Sequence, residues 1–363
     1  MTVLSRYRVW VGFAVAAVVL FGVAPAMLSD FRLNLLAKFL CFAIVAVGIG
    51  LAWGRGGMLT LGQGVFFGLG AYIMAMHLKI ADAELRGDAV PDFMQIAGIR
   101  ELPSYWTPFA DPFTTIAAIL LVPAFVAFLL GLGVFKRRVK GAYFAILSQA
   151  LAAAFAILLI GQQSIGGSNG LNRFRTFFGF NLSDPANKRM LFFIAAAVLL
   201  LVVAATRQLM NSRYGELLVA VRDQEERVRF LGYDPANIKV VAYTVAAFFA
   251  GIAGALFVPI VGIISPADVG IVPSIAFLIG VAIGGRTTLL GPVLGAIGVA
   301  WAQTTLSENF PSAWTYAQGL LFIVVIGFFP AGIAGLAKLF GRRRRADPLE
   351  SEPESARELE VAR

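Results

Sequence analysis

Long runs of apolar residues, each about the length of a membrane crossing, alternate along the chain with shorter polar stretches. A helix needs about 20 mostly apolar residues to cross about 30 Å of hydrocarbon. On that rule the pattern predicts ten spans, near 9–28, 35–53, 58–78, 113–135, 142–161, 190–206, 239–262, 269–284, 288–306 and 315–337. The 269–284 segment is short and follows a break at Pro266. It reads either as a half-helix that enters and returns or as a span shortened by Gly280, Gly284 and Gly285. The predicted class is an all-α polytopic membrane protein.

Composition agrees with the pattern. The 363 residues are 59% hydrophobic and 14% charged, with a mean hydropathy of +0.80. A soluble domain is about 45–50% apolar and about 25% charged. Charge then orients the spans. With alternate loops assigned to opposite sides, one side carries 19 Lys/Arg and the other 9, with two more in the C-terminal tail. The positive-inside bias places both termini in the cytoplasm and the 79–112 and 162–189 loops outside. The net charge of +9 is thus a topology signal and implies no nucleic-acid partner. Arg6, Arg8 and Ala24-Pro25-Ala26 resemble a cleavable leader, but Pro25 and the apolar run through Leu28 favour retention as a first span. Residues 1–345 form the expected membrane domain, closed by a tetra-arginine anchor at 342–345. The acidic tail 346–363 is too poor in large apolar residues to order itself.

Candidate chemistry is sparse. There is no G-x-x-x-x-G-K-[ST] loop, so the chain lacks a familiar ATP site. One His and one Cys cannot assemble a His/Cys metal centre, and neither a nucleophile elbow nor H-E-x-x-H occurs. No cofactor and no catalytic residue is expected. Within the spans the deep polar side chains read as uncharged, Gln63, Gln149, Gln303 and Gln318 among them, while Lys38 and His77 fall at span ends. Buried ionisable groups are the usual mark of ion-coupled transport. Their scarcity disfavours a stand-alone secondary transporter and points to a neutral or zwitterionic solute moved by energy supplied elsewhere.

The most informative polar segment is 213–243, within a long cytoplasmic loop at 207–238. Leu217, Leu218, Val221, Val228 and Leu231 give a partly helical apolar stripe, and Gly232 followed by Pro235 ends it. The segment reads as one or two short amphipathic helices beneath the membrane, or as a solvated loop laced by pairs such as Glu225 with Arg229.

This segment, with AAFFAGIAGAL at 246–256, resembles the cytoplasmic coupling region of permeases in the branched-chain amino acid ABC import family. The resemblance continues through WGRGGMLTLGQGVFFGLGAY at 53–72, KGAYFAILSQAL at 140–151, IGGSNGL at 165–171 and IGGRTTLLGPVLGA at 283–296. It covers the chain from about Leu33 to Leu336. Within the family, the long 91–109 outer loop and QQSIGGSNGL at 162–171 look most like the M-type permease of urea importers. A branched-chain amino acid permease is the alternative. Gln63 stands where similar proteins often carry His.

The resemblance implies a permease subunit of a bacterial inner membrane. It would work with two cytoplasmic ATPases, a sister permease and a periplasmic binding protein. Arg213, Glu216, Arg222, Asp223, Glu225, Glu226 and Gly232 would couple it to the ATPases. Gln63, Gln149, Asn169 and Gln303 are the candidate pathway polar groups, since an amide both donates to and accepts from a urea-like solute. Interhelical hydrogen bonding is their other available role. The glycines of 54–70 serve either close helix packing or a break near the pathway, and 283–296 faintly repeats their arrangement.

Overall fold

The computed structural model describes residues 11–139, 141–309, 316, 319, 320, 323 and 324. The predicted anchor, the acidic tail and most of the 315–337 span lie outside the described residues. Every other predicted span has a helix, in this order: α1 (Val11–Met27), α2 (Asp30–Arg55), α3 (Gln63–Arg86), the short α4 (Asp92–Ile96) of the predicted outer loop, α5 (Pro112–Phe135), α6 (Ala142–Gly161), α7 (Pro185–Met210), α8 (Arg213–Phe230), α9 (Pro235–Val261), α10 (Ile271–Gly284) and α11 (Leu290–Asn309). Among the described residues, seven helical segments are long and apolar enough to cross a membrane, with α10 counted from Pro266.

Local chemistry sets where helices begin. Asp-Pro opens three of them: Asp111, Asp184 and Asp234 accept hydrogen bonds from the backbone N–H of Thr114, Ala186 and Ala236, at 2.8, 2.9 and 2.9 Å. The proline behind each cap lacks the N–H that would be orphaned there. Two helices outrun their apolar stretches. α2 starts at Asp30 after Ser29, five residues before the predicted span, because Asp30, Arg32 and Asn34 interrupt the hydropathy and not the helix. α3 continues past 78 to Arg86, where Gly87 takes the left-handed conformation that stops it (φ 74°).

α3 and α9 form the centre. In α3, 83% of the apolar window is buried, against 28% in each of α5 and α6, which lie at the periphery. α9 packs on α2, α3 and α5. α3 crosses it where Gly70 faces the Gly251 carbonyl and Gly254 faces the Phe67 carbonyl. Between α2 and α3 the chain is irregular through 58–62, and the last turns of α2, Gly50–Arg55, are π-helical. This break is tied down: Leu61 N–H donates to Ser148 Oγ on α6 (3.0 Å), and Gly64 N–H donates to Ser274 Oγ on α10 (3.1 Å).

Contacts at the two ends agree with the alternating sidedness that the charge bias predicts. One end gathers Lys136 with Asp234, Arg222 with the Gly54 carbonyl, and Arg286 over the Trp53 ring. The other gathers Asp30 with Arg189, Tyr105 with Ser164, and the strands β1 (Leu171–Asn172) and β4 (Ile263–Ile264), which pair antiparallel. A second ribbon, β2 (Thr176–Phe177) with β3 (Phe180–Asn181), completes this outer cap.

The outer half of α3 anchors the cap. His77 is 3% exposed and hydrogen-bonds the Phe109 carbonyl at 2.7 Å; a carbonyl only accepts, so Nδ1 carries the proton. Lys79 pairs with Asp92 at 2.9 Å. Burial would raise the Asp92 carboxyl, but the hydrogen bond and charge of Lys79 outweigh it and hold the group below its usual range. His77 is therefore a buried strut under the loops and not the span-end residue that hydropathy predicts. Asp82 accepts from Arg175 N–H, Thr176 N–H and Thr176 Oγ1 at 2.8, 3.1 and 2.8 Å. Hydrogen bonds to a charged group are worth about 1.5–3 kcal/mol each, and about 1.4 kcal/mol is tenfold in an equilibrium. Asp82→Ala should raise trypsin cleavage at exposed Arg173 and Arg175 in spheroplasts by about tenfold or more. Unchanged cleavage would refute the anchor.

Candidate functional site

A cavity of about 150 Å³ opens between α2, α10 and α11, continuous in its lining with a neighbouring lobe of about 300 Å³. Four phenylalanines from four helices wall the smaller one: Phe42, Phe67, Phe257 and Phe277. Their ring centroids lie 5.2 to 6.5 Å apart. Lys38 stands at the junction of the two lobes, its Nζ 5.8 Å from the centre of the Phe42 ring. Asp268 lines the smaller lobe from the turn before α10. Its Oδ2 accepts from Ser265 N–H and Oγ at 2.9 and 2.7 Å, a capping box that fixes the carboxylate in place. Gln303 of α11 lines both lobes.

Lys38 corrects the sequence reading. It lies eight residues into α2, about 12 Å below the outer end at 1.5 Å per residue. Hydropathy places it at a span end only because the helix starts earlier than the apolar run. Lys38 is the charged exception to the reading that polar groups within the spans are uncharged, and Lys79 and Asp82 are further buried charges, in the part of α3 beyond its predicted span. Lys79 and Asp82 are 3% and 2% exposed.

The four predicted pathway residues do not converge. Gln303 lines the cavity. Gln63 opens α3 and is 1% exposed, with neither amide atom hydrogen-bonded, as is also true of the Thr60 hydroxyl three residues earlier. Gln149 is half-buried on α6, beside the Ser148 that receives Leu61. Asn169 is exposed on a 3-10 turn of the outer loop. Lys38, Asp268 and the phenylalanine wall escaped sequence reading, although a lone charge in the 35–53 run marked Lys38.

At the end predicted to be cytoplasmic, α8 is two helical stretches that meet at a kink at Gln224 (φ −149°, ψ 75°). Ser212 caps its start, and Gly232 ends it at φ 88°. Leu218, Val221 and Val228 are buried and Leu217 is half-buried. Leu231, predicted in the same stripe, is 75% exposed beside Phe230 at 90%, because the turn to Gly232 carries it off the buried face. Glu225 accepts from Lys239 of α9 at 2.7 Å and from Arg229 at 3.4 Å, and Glu226 pairs with Arg229 at 2.8 Å. Arg222 donates to Asp223 (2.7 Å) and to the buried Gly54 carbonyl at the π-helical end of α2 (2.8 Å). The Arg222 hydrogen bond holds the Asp223 carboxyl below its usual range. Gly57 takes φ 70°, and a Cβ there would lie 2.7 Å from Arg222 Cγ. Arg213 and Glu216 are exposed in the first turn of α8. Four of the seven predicted coupling residues, Arg222, Asp223, Glu225 and Glu226, therefore lie in ion-paired groups on α8, and Arg222 ties α8 to the break between α2 and α3.

Residues 31–329 match the family described as branched-chain amino acid transport system / permease component. The chain belongs to this permease family. It is similar to the high-affinity branched-chain amino acid transport system permease protein LivM of Escherichia coli K12, 27% identical over 352 aligned residues. That match covers 90% of this chain and 75% of the relative. LivM of Salmonella typhimurium is 26% identical over the same extent. No solved structure matches. Membership replaces the lost argument from uncharged spans: the permease is a multi-pass transport component, and neither relative carries the urea specificity that the outer loop evoked.

Proposed function

We propose that this permease is the membrane-spanning subunit of an ATP-driven importer of branched-chain amino acids in the bacterial inner membrane. Two cytoplasmic ATPases, a sister permease and a periplasmic binding protein complete the assembly. The observation that carries the transport reading is the Arg222 link from α8 to the Gly54 carbonyl, which joins the first stretch of the kinked amphipathic segment to the break between two buried spans. A push on α8 is thereby delivered to α2 and α3, both of which reach the cavity. ATPase docking falls to the outward side of α8, with Arg213, Glu216, Asp223 and Glu226, and to exposed Phe230 and Leu231.

The amino acid reading is favoured over urea by the names of the relatives and by the cavity wall. Four phenylalanine rings offer an aliphatic side chain apolar contact that urea cannot use. In cells deleted for this chain, high-affinity leucine uptake should be lost and urea uptake kept. Loss of urea uptake alone would overturn the substrate, and loss of neither in cells shown to express the chain would overturn the reading.

A further inference from the structure

Resting on the amino acid reading, we propose that Lys38 and Asp268 form an intramembrane subsite that receives the solute as its zwitterion. The carboxylate meets Lys38 and Gln303, the ammonium meets Asp268, and the aliphatic chain lies against Phe42, Phe67, Phe257 and Phe277. The two charged residues are 230 positions apart in sequence yet line one cavity. They do not touch: no ion pair within 4.0 Å joins them, and among the described residues Lys38 Nζ has no hydrogen-bond or ion-pair partner.

An ionised side chain at membrane depth is costly unless it is paired or faces water. Structural pairs in this protein do touch, as Lys79 with Asp92 at 2.9 Å and Lys239 with Glu225 at 2.7 Å show. Lys38 and Asp268 instead face each other across a space. A zwitterion supplies both missing counter-charges in one molecule and leaves the net charge unchanged. Asp268 is suited to this, since the Ser265 box engages Oδ2 and leaves Oδ1 without a hydrogen bond among the described residues. The aromatic wall then fixes which end of the solute points inward. A neutral diamide would leave both charges unpaired, so the same pair selects against urea.

The test is binding of labelled leucine to the full importer in nanodiscs, without binding protein, with three competitors: unlabelled leucine, leucinamide (no carboxylate) and 4-methylpentanoate (no ammonium). Lys38→Met should weaken leucine and 4-methylpentanoate by about tenfold or more, the scale of a lost charge-assisted hydrogen bond, and leave leucinamide unchanged. Asp268→Asn should weaken leucine and leucinamide and spare 4-methylpentanoate. Lys38→Arg should keep most leucine binding. Equal loss of all three ligands in either variant, or no loss, would overturn the subsite. If leucine uptake does not depend on this chain at all, the functional reading fails first. If uptake depends on it and the competitors show no such pattern, the subsite alone fails.

Discussion

Membranes from cells expressing Gly254→Leu are expected to hold less than about a tenth of the wild-type amount of folded permease, because overpacking of a close-packed contact costs about 1–3 kcal/mol and more when backbone must move. Gly254 sits where α9 crosses α3. A Cβ there would meet the Phe67 carbonyl, with Phe67 C at 2.8 Å and Ala71 N at 3.1 Å. These are backbone atoms of the most buried helix, and neither can rotate away. Gly70 makes the reciprocal approach to the Gly251 carbonyl, so the two helices cannot part at one point and close at the other. Small residues let membrane helices come this near, and dispersion between the backbones holds them there. Gly133→Leu, on α5 with nothing within 4 Å, is the matched control and should fold at wild-type yield. Size-exclusion profiles of fluorescently tagged protein in detergent would read both. A monodisperse Gly254→Leu peak at wild-type height would refute the crossing geometry.

Arg222→Ala is expected to lower leucine uptake by about tenfold or more, on the scale of about 1.5–3 kcal/mol for a charge-assisted hydrogen bond. The importer should still assemble and hydrolyse ATP. The guanidinium spans 168 residues of sequence to reach the Gly54 carbonyl at 2.8 Å, where the π-helical turns leave the end of α2 without a regular successor. With the side chain removed, α8 keeps its other ties, Lys239 to Glu225 and the Tyr214 hydroxyl to the Ile238 carbonyl at 2.7 Å. Those ties run to α9, so α8 remains docked and loses its grip on α2. Arg222→Lys should fall between, because an ammonium is a point donor and cannot serve Gly54 and Asp223 with one planar fork. The quantity to measure is leucine moved per ATP hydrolysed in proteoliposomes. An unchanged ratio in Arg222→Ala would mean that the link transmits nothing.

Much of this architecture is legible from the chain because the bilayer constrains it locally. Hydrocarbon forces backbone groups to be satisfied within each segment, so a run of apolar residues already means a helix. The excess of Lys/Arg on alternate loops predicts a direction for every span, and the described contacts gather the loops at two ends as that alternation requires. The amphipathic stripe of α8 is equally local, and three of its five members are buried where a helical period puts them.

The misreadings have one physical source: hydropathy reports transfer to lipid, and the inner helices of this protein are solvated by other helices. Lys38 and His77 fall near the ends of their apolar windows and Lys79 and Asp82 beyond them, yet α3 continues under loops that supply partners for His77, Lys79 and Asp82, and α2 carries Lys38 to the cavity. The helical class, the alternation of the loops between two ends and the polar amphipathic helical segment at 213–230 were readable from the chain alone, each encoded in neighbours a few residues apart. The tertiary structure decided which remote groups meet: Lys38 with Asp268 across a cavity, four phenylalanines from four helices in its wall, and Arg222 on the end of α2. Such meetings depend on how helices cross, and crossing is set by close packing of side chains and backbone in space. No periodicity within a single helix carries that information.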